Sequence, residues 1–308
     1  MNGDSNNSTP SEFDDDFDAL RKRVITEVRE GRFDSGLALL DDGIARAKAI
    51  DDIDVVDRLQ LNRSSILIVR LQGDLMLRDV QAILMRSSSP LNRHLAAYNI
   101  AEINRYKDRY DRGLFYSRMG LEYADRLDDT LYAARSNNQL GVLLTVQSYF
   151  SEAIGHFEEA LTLLGESLDD RVTIGYNLAY CHFSLNAPSA GFPFAFDSLR
   201  LCRRITTDSS FQHVAARLIL CYGYLTIERF DRARHHGEIG LEHARALENP
   251  DAYKKALYLL GEVEKQAGDY YSSAAHFAEL QREFFADDPS LVNLLMATDT
   301  LGLVNLMA

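Results

Sequence analysis

The chain has 308 residues, 46% of them hydrophobic and 26% charged, a balance of ordinary globular proteins that excludes wholesale disorder. A net charge of −13, from 33 basic against 46 acidic residues, argues against partners held by their phosphates, nucleic acid and anionic membrane alike. No apolar run approaches the roughly 20 residues of a membrane span, and the polar, acidic start MNGDSNNSTPSEFDDDFD has no signal-peptide pattern, so the expected location is the cytoplasm.

Residues 1–12 are rich in Asn, Ser, Gly and Asp and read as a disordered tail. Residues 13–308 read as one domain that is helical almost throughout. Leu37, Leu40, Ile44 and Ala47 recur at the spacing of a single helix face. The alternation and hairpin turns of strands are missing. Cys181, Cys202 and Cys221 form no C-x-x-C pair, which fits small core residues in a reducing compartment.

Along this helical stretch one pattern returns about every forty residues. Its clearest copy is Gly141, Phe150, Ala153, Phe157, Ala160; a second, Gly261, Tyr270, Ser273, Phe277, Leu280, repeats the same steps of 9, 3, 4 and 3. Weaker copies centre on Phe33, Tyr110 and Phe230. Fainter units fall at 53–88, with Gly73 as the break, and at 171–206, with Asn186-Ala187-Pro188-Ser189 as the break. The total is about seven helical hairpins. Acidic pairs follow in phase: Asp51-Asp52, Asp128-Asp129 and Asp169-Asp170, with Glu248-Asn249-Pro250 and Asp287-Asp288-Pro289 in the same role. Their side chains suit the N-termini of the next helices. A fixed period of this size means stacked units that each bury an apolar face against a neighbour.

The run of small residue, aromatic, and then Ala-x-x-x-Phe-x-x-Ala resembles the tetratricopeptide repeat, in the long-helix form of bacterial regulators and kinesin light chains. The resemblance implies an all-α, right-handed solenoid. It implies close helix approach at Gly141 and Gly261, with Phe150, Phe157, Tyr270 and Phe277 filling the gaps between units. It also implies that the first helix of each hairpin lines an inner groove.

Counting from the small residue places Arg63, Arg70, Tyr98, Glu102, Arg105, Arg135, Asn138, Tyr176, Tyr180, Tyr222, Lys255, Tyr258 and Glu262 on that groove. Tyrosines, arginines and an asparagine suit the backbone and carboxylates of a peptide. The plainer alternative is a mixed solvated surface, or tyrosines that merely bridge helices. A clamp for C-terminal carboxylates is not expected, since Glu102 stands where it needs an amide. The implied function is a non-enzymatic scaffold that binds a protein or peptide. The alternative is a regulator whose curvature changes on binding a small peptide or ligand.

Catalytic and cofactor motifs are missing: there is no Walker loop, G-x-G-x-x-G, G-x-S-x-G or H-E-x-x-H. No cofactor or metal is expected. His235, His236, Glu238, Glu242 and His243 read as a solvated outer face, and His156 with Glu159 as surface contacts. The end of the chain, SLVNLLMATDTLGLVNLMA, reads as an apolar helix over about 290–307 with Asp299 as its one charge. It is expected either to fold back over the last hairpin or to self-associate through Leu291, Leu294, Leu295, Leu301 and Val304.

Overall fold

The computed structural model describes residues 12–29, 31–205, 211–300 and 306. Of the tail expected at 1–12, residues 1–11 lie outside the described residues, as do the self-association residues Leu301 and Val304, while Glu12 already begins a helix. The chain was expected to form one domain over 13–308; it divides into two compact units, Met1–Leu127 and Asp128–Ala308. Among the described residues there are fifteen α-helices, one short 3-10 turn at Gly73–Met76 and no strand.

The first unit holds three hairpins: α1 (Glu12–Arg29) with α2 (Phe33–Ala49), α3 (Ile53–Val69) with α4 (Leu77–Arg86), and α5 (Pro90–Arg105) with α6 (Tyr110–Ala124). The second holds four: α7 (Thr130–Val146) with α8 (Phe150–Leu163), α9 (Leu168–Ser184) with α10 (Pro188–Ile205), α11 (Phe211–Leu225) with α12 (Phe230–Ala246), and α13 (Pro250–Ala267) with α14 (Tyr270–Phe284). A short helix, α15 (Leu291–Ala297), follows. Both faint units are therefore real hairpins.

One turn closes every hairpin. Gly31, Leu71, Asp108, Ser148, Asn186, Glu228 and Gly268 all adopt a left-handed backbone, with φ between 54° and 85°. In each case the next residue's N–H reaches back five residues to a helix carbonyl, as in Tyr149 to Leu144 at 2.9 Å and Arg229 to Tyr224 at 2.9 Å. This bond satisfies a carbonyl that the helix end leaves unpaired. The repeat is thus a repeat of turn geometry as well as of apolar spacing.

Between hairpins, Asp52 accepts from Val55 N–H, Asp129 from Leu131 N–H and Asn249 from Ala252 N–H. The pair Asp169-Asp170 departs from this role. Both lie inside the first turn of α9, behind Ser167 at the N-cap, and Asp170 instead accepts from Ser167 Oγ at 2.6 Å.

Phe157 and Phe277 are completely buried, each lying against the small residue sixteen positions earlier. Phe150 meets the next hairpin at Tyr180, edge on, with ring centroids 6.1 Å apart. Tyr270 does not fill a gap as expected: it is 62% exposed. Phe150 packs on the first helix of the next hairpin, whereas among the described residues α14 is followed by the seven-residue α15. All three cysteines are buried thiols outside any disulfide, and burial pushes the Cys181 and Cys202 thiols up to about 11. They are inert packing residues at neutral pH.

The terminal helix expected over about 290–307 is interrupted after its second turn. The helix ends at Ala297, and Thr298 is extended, with φ −113° and ψ 139°. Lys265 Nζ takes the Leu295 carbonyl at 2.7 Å and the Thr298 carbonyl at 2.9 Å, so a side chain from α13 replaces the bonds that another helical turn would make.

Candidate partner-binding groove

In the second unit each first helix touches the first helix of the next hairpin: α7 meets α9, α9 meets α11, and α11 meets α13. The second helices α8, α10 and α12 reach the following hairpin through its first helix. First helices therefore form the inner layer of this unit, and the residues counted onto that layer can be placed one by one.

Tyr180, Tyr222 and Tyr258 come from three successive inner helices and lie together. The Tyr180 and Tyr222 rings are 5.4 Å apart, and Tyr222 is close enough to Tyr258 for their hydroxyls to influence each other. Burial holds all three hydroxyls above the usual tyrosine range, so each remains a proton donor at neutral pH. Tyr176 is half-buried beside them, against the same apolar cluster. At the near end of the layer Asn138 accepts from Asn177 Nδ2 at 3.0 Å. Arg135 makes a two-pronged pair with Asp170, 3.2 and 3.0 Å. Lys255 pairs with Asp251 at 2.7 Å on its own helix.

The aromatic trio is not an open surface. Tyr258 Oη stands 2.7 Å from Thr300 Oγ1 and 3.0 Å from the Thr300 carbonyl. Thr300 Oγ1 in turn donates to Glu262 Oε1 at 2.7 Å, and Lys265 Nζ donates to the same carboxylate oxygen at 2.7 Å. Glu262 is wholly buried. Further along, Leu306 is buried in the cluster that contains Tyr180 and Tyr222, and its backbone hydrogen-bonds Tyr180. Thr298, Thr300 and Leu306 thus lie against the inner layer of their own unit.

Lys265, Thr300 and Leu306 were not picked out from the sequence. The first had a readable signal, because Tyr258, Glu262 and Lys265 stand at i, i+4 and i+7 on one helix face. The other two had none.

Of the self-association candidates, Leu295 is buried and Leu291 half-buried against this same core, whereas Leu294 is 55% exposed. In the first unit, Arg63 pairs with Asp41 at 2.9 Å, and Arg105 pairs with Glu102 at 3.1 Å while lying over the Tyr106 ring. Tyr98 sits beside His94 on α5.

His235, Glu238 and Glu242 are exposed, as the solvated face expected of this run requires, but His236 and His243 turn inward. His236 is buried, stacked on Tyr224 at 5.6 Å, with an Arg217 N–H 3.1 Å from its Nδ1. Burial, helped by Arg217, depresses its pKa to about 4. His243 leaves the run to meet the His213 ring, 5.2 Å away. His156 hydrogen-bonds Asn137 at 2.9 Å, inside the α7–α8 hairpin.

No family model matches the sequence, and no curated protein is significantly similar to it. Solved structures are. A tetratricopeptide repeat protein from Parabacteroides merdae matches over 94% of this chain and 99% of its own, with a TM-score of 0.56 and 13% identity. The fold is that of the tetratricopeptide repeat proteins. A Rap protein solved in complex with Competence and Sporulation Factor matches with a TM-score of 0.71 and 11% identity, over 93% of this chain and 79% of its own. A signal-transduction ATPase from Pyrococcus horikoshii with a tetratricopeptide repeat sensor matches with a TM-score of 0.57 and 14% identity, over 90% of this chain and 44% of its own. At these identities the likeness to the tetratricopeptide repeat structures is one of fold. No helix among the described residues is long and apolar enough to cross a membrane.

Proposed function

We propose that the protein is a non-enzymatic scaffold that binds an extended protein or peptide segment on the inner layer of its second unit. One observation supports this reading: Tyr258 and Lys265 of that layer already hydrogen-bond main-chain carbonyls, those of Leu295, Thr298 and Thr300. Tyrosine hydroxyls and a lysine that hydrogen-bond main-chain groups recognise a peptide largely without regard to its side chains.

A second reading is a regulator that receives a peptide or small-ligand signal and acts on another protein. Its support is the structural likeness to a Rap protein solved with Competence and Sporulation Factor and to a repeat described as a sensor.

Selection of a random peptide library on the protein, followed by hydrogen exchange of the bound state, tests the first reading. Protection in α9, α11 and α13 is the expected result. Binders that protect only α10, α12 and α14 refute groove binding. A change in overall dimensions on binding, seen by solution scattering, favours the regulator.

A further inference from the structure

The first unit carries a cleft of its own, of about 330 Å³. Small-molecule sites run from roughly 300 to 1,000 Å³, so it has room for one compact ligand. It lies beside the start of α4, which begins at Leu77 behind the short turn Gly73–Met76, and beside the first turns of α6. Helix periodicity builds its walls. Leu77 and Gln81 stand at i and i+4 on α4, and Arg112, Phe115 and Tyr116 at i, i+3 and i+4 on α6.

Three features give the cleft a chemistry. Its apolar side is partly open: Phe115 is 58% exposed and edge-on to the Tyr116 ring at 5.2 Å, while Leu77 and Tyr116 pack on the core. Its charge is positive. Arg109 and Arg112 are exposed, and neither forms an ion pair among the described residues. Asp111 is the one acid beside them, and no side chain caps the N-terminus of α6, whose dipole adds to the positive side. In a chain of net charge −13 this is a local inversion. The third feature is Asn104, which lines the cleft although it is only 6% exposed. Its Nδ2 donates to the Ile100 carbonyl at 2.8 Å, and nothing among the described residues donates to its Oδ1. A nearly buried acceptor of this kind calls for a donor from whatever fills the cleft.

We propose that this cleft binds a small carboxylate with an aromatic body and one hydrogen-bond donor. The arginines take the carboxylate, which a guanidinium matches with two parallel N–H bonds. The body packs on Phe115 and Leu77, and its donor reaches Asn104 Oδ1. A phosphate dianion fits worse, because Asp111 offsets one of the two arginines. The site shares no residue with the inner layer of the second unit, so either reading can fail without the other.

The test is a titration of the full-length chain with 4-hydroxyphenylacetate, followed in the amide NMR spectrum. The acid should saturate the protein with a Kd of about 1 mM or tighter, moving the amide signals of residues 109–116. The neutral 4-hydroxyphenylacetamide should bind at least tenfold more weakly, and phenylacetate, which lacks the donor, at least threefold more weakly. Arg109→Gln with Arg112→Gln should weaken the acid at least tenfold while leaving the circular dichroism spectrum unchanged. The acid–amide comparison needs no variant, so it decides the matter even for a variant that misfolds. Equal binding of acid and amide overturns the site, as does a folded double variant that binds like wild type. Shifts confined to α9, α11 and α13, or no saturation by about 10 mM, overturn it too.

Discussion

Phe157 lies flat over Gly141: a Cβ built on that glycine would stand 2.5 Å from the ring. Gly261 and Phe277 repeat the arrangement at 2.3 Å. In both pairs the ring belongs to the second helix of a hairpin and the glycine to the first, so the pair sets how closely the two helices pack. Both rings are wholly enclosed and have nowhere to shift.

Gly141→Ala is accordingly expected to destabilise the protein by about 1–3 kcal/mol through overpacking, despite alanine's better helix propensity. Gly155, on α8 with open space around its Cβ position, is the control. Gly155→Ala should stabilise by roughly 0.5–1 kcal/mol. Urea unfolding monitored by circular dichroism gives both values, and a matching sign for the two variants contradicts the packing account.

The left-handed turn at Glu228 carries a side chain where glycine is favoured, with φ 58°. Glu228→Gly relieves that strain but frees the unfolded chain, for a net gain of about 0.5 kcal/mol. Gly268→Ala, at φ 85°, should lose about 1 kcal/mol for the converse reason. Thermal melts of the two variants should move in opposite directions.

Neutral His236 gives the fold a pH dependence. Its folded pKa of about 4 lies below the ordinary value of 6.5, so the unfolded chain binds the proton first. Stability is therefore full above pH 6.5 and falls as pH drops towards 4, by about 2 kcal/mol between pH 7.5 and 5. His182 and His276, also lowered chiefly by burial, add in the same direction. His236→Gln should flatten much of that slope in denaturation curves taken at the two pH values.

Arg234 and Glu264 form a two-pronged pair between α12 and α13, both contacts 2.6 Å. The partners are unequally placed: the Glu264 side chain is 5% exposed and Arg234 32%. Arg234→Met strands a buried carboxylate and should cost about 3 kcal/mol. Glu264→Met leaves an arginine that reaches solvent and Asp231, and should cost nearer 1 kcal/mol. The ratio of the two losses, from chemical denaturation at pH 7, measures how much of the effect is stranded charge.

Much of the fold was legible because it is local. Helix faces such as Leu40, Ile44 and Ala47, the caps at Asp52, Asp129 and Asn249, and the hairpin breaks at Gly31, Asn186 and Gly268 are each settled by residues within a few positions of one another. The groove was only partly legible. The count to Tyr180, Tyr222 and Tyr258 selected three residues that meet, whereas Arg135 and Lys255, chosen by the same count, are engaged by Asp170 and Asp251. Helical spacing gives a residue's face and not its partner.

What the amino-acid order determined by itself is the forty-residue period, and with it the hairpins, because turn chemistry and apolar spacing act over one or two helical turns. What only the tertiary structure decided is the state of the groove. Thr300 reaches Tyr258 across 42 positions, and Leu306 reaches Tyr180 across a still longer separation. A contact of that range leaves no periodicity in the sequence, since it depends on where three stacked helices bring their faces.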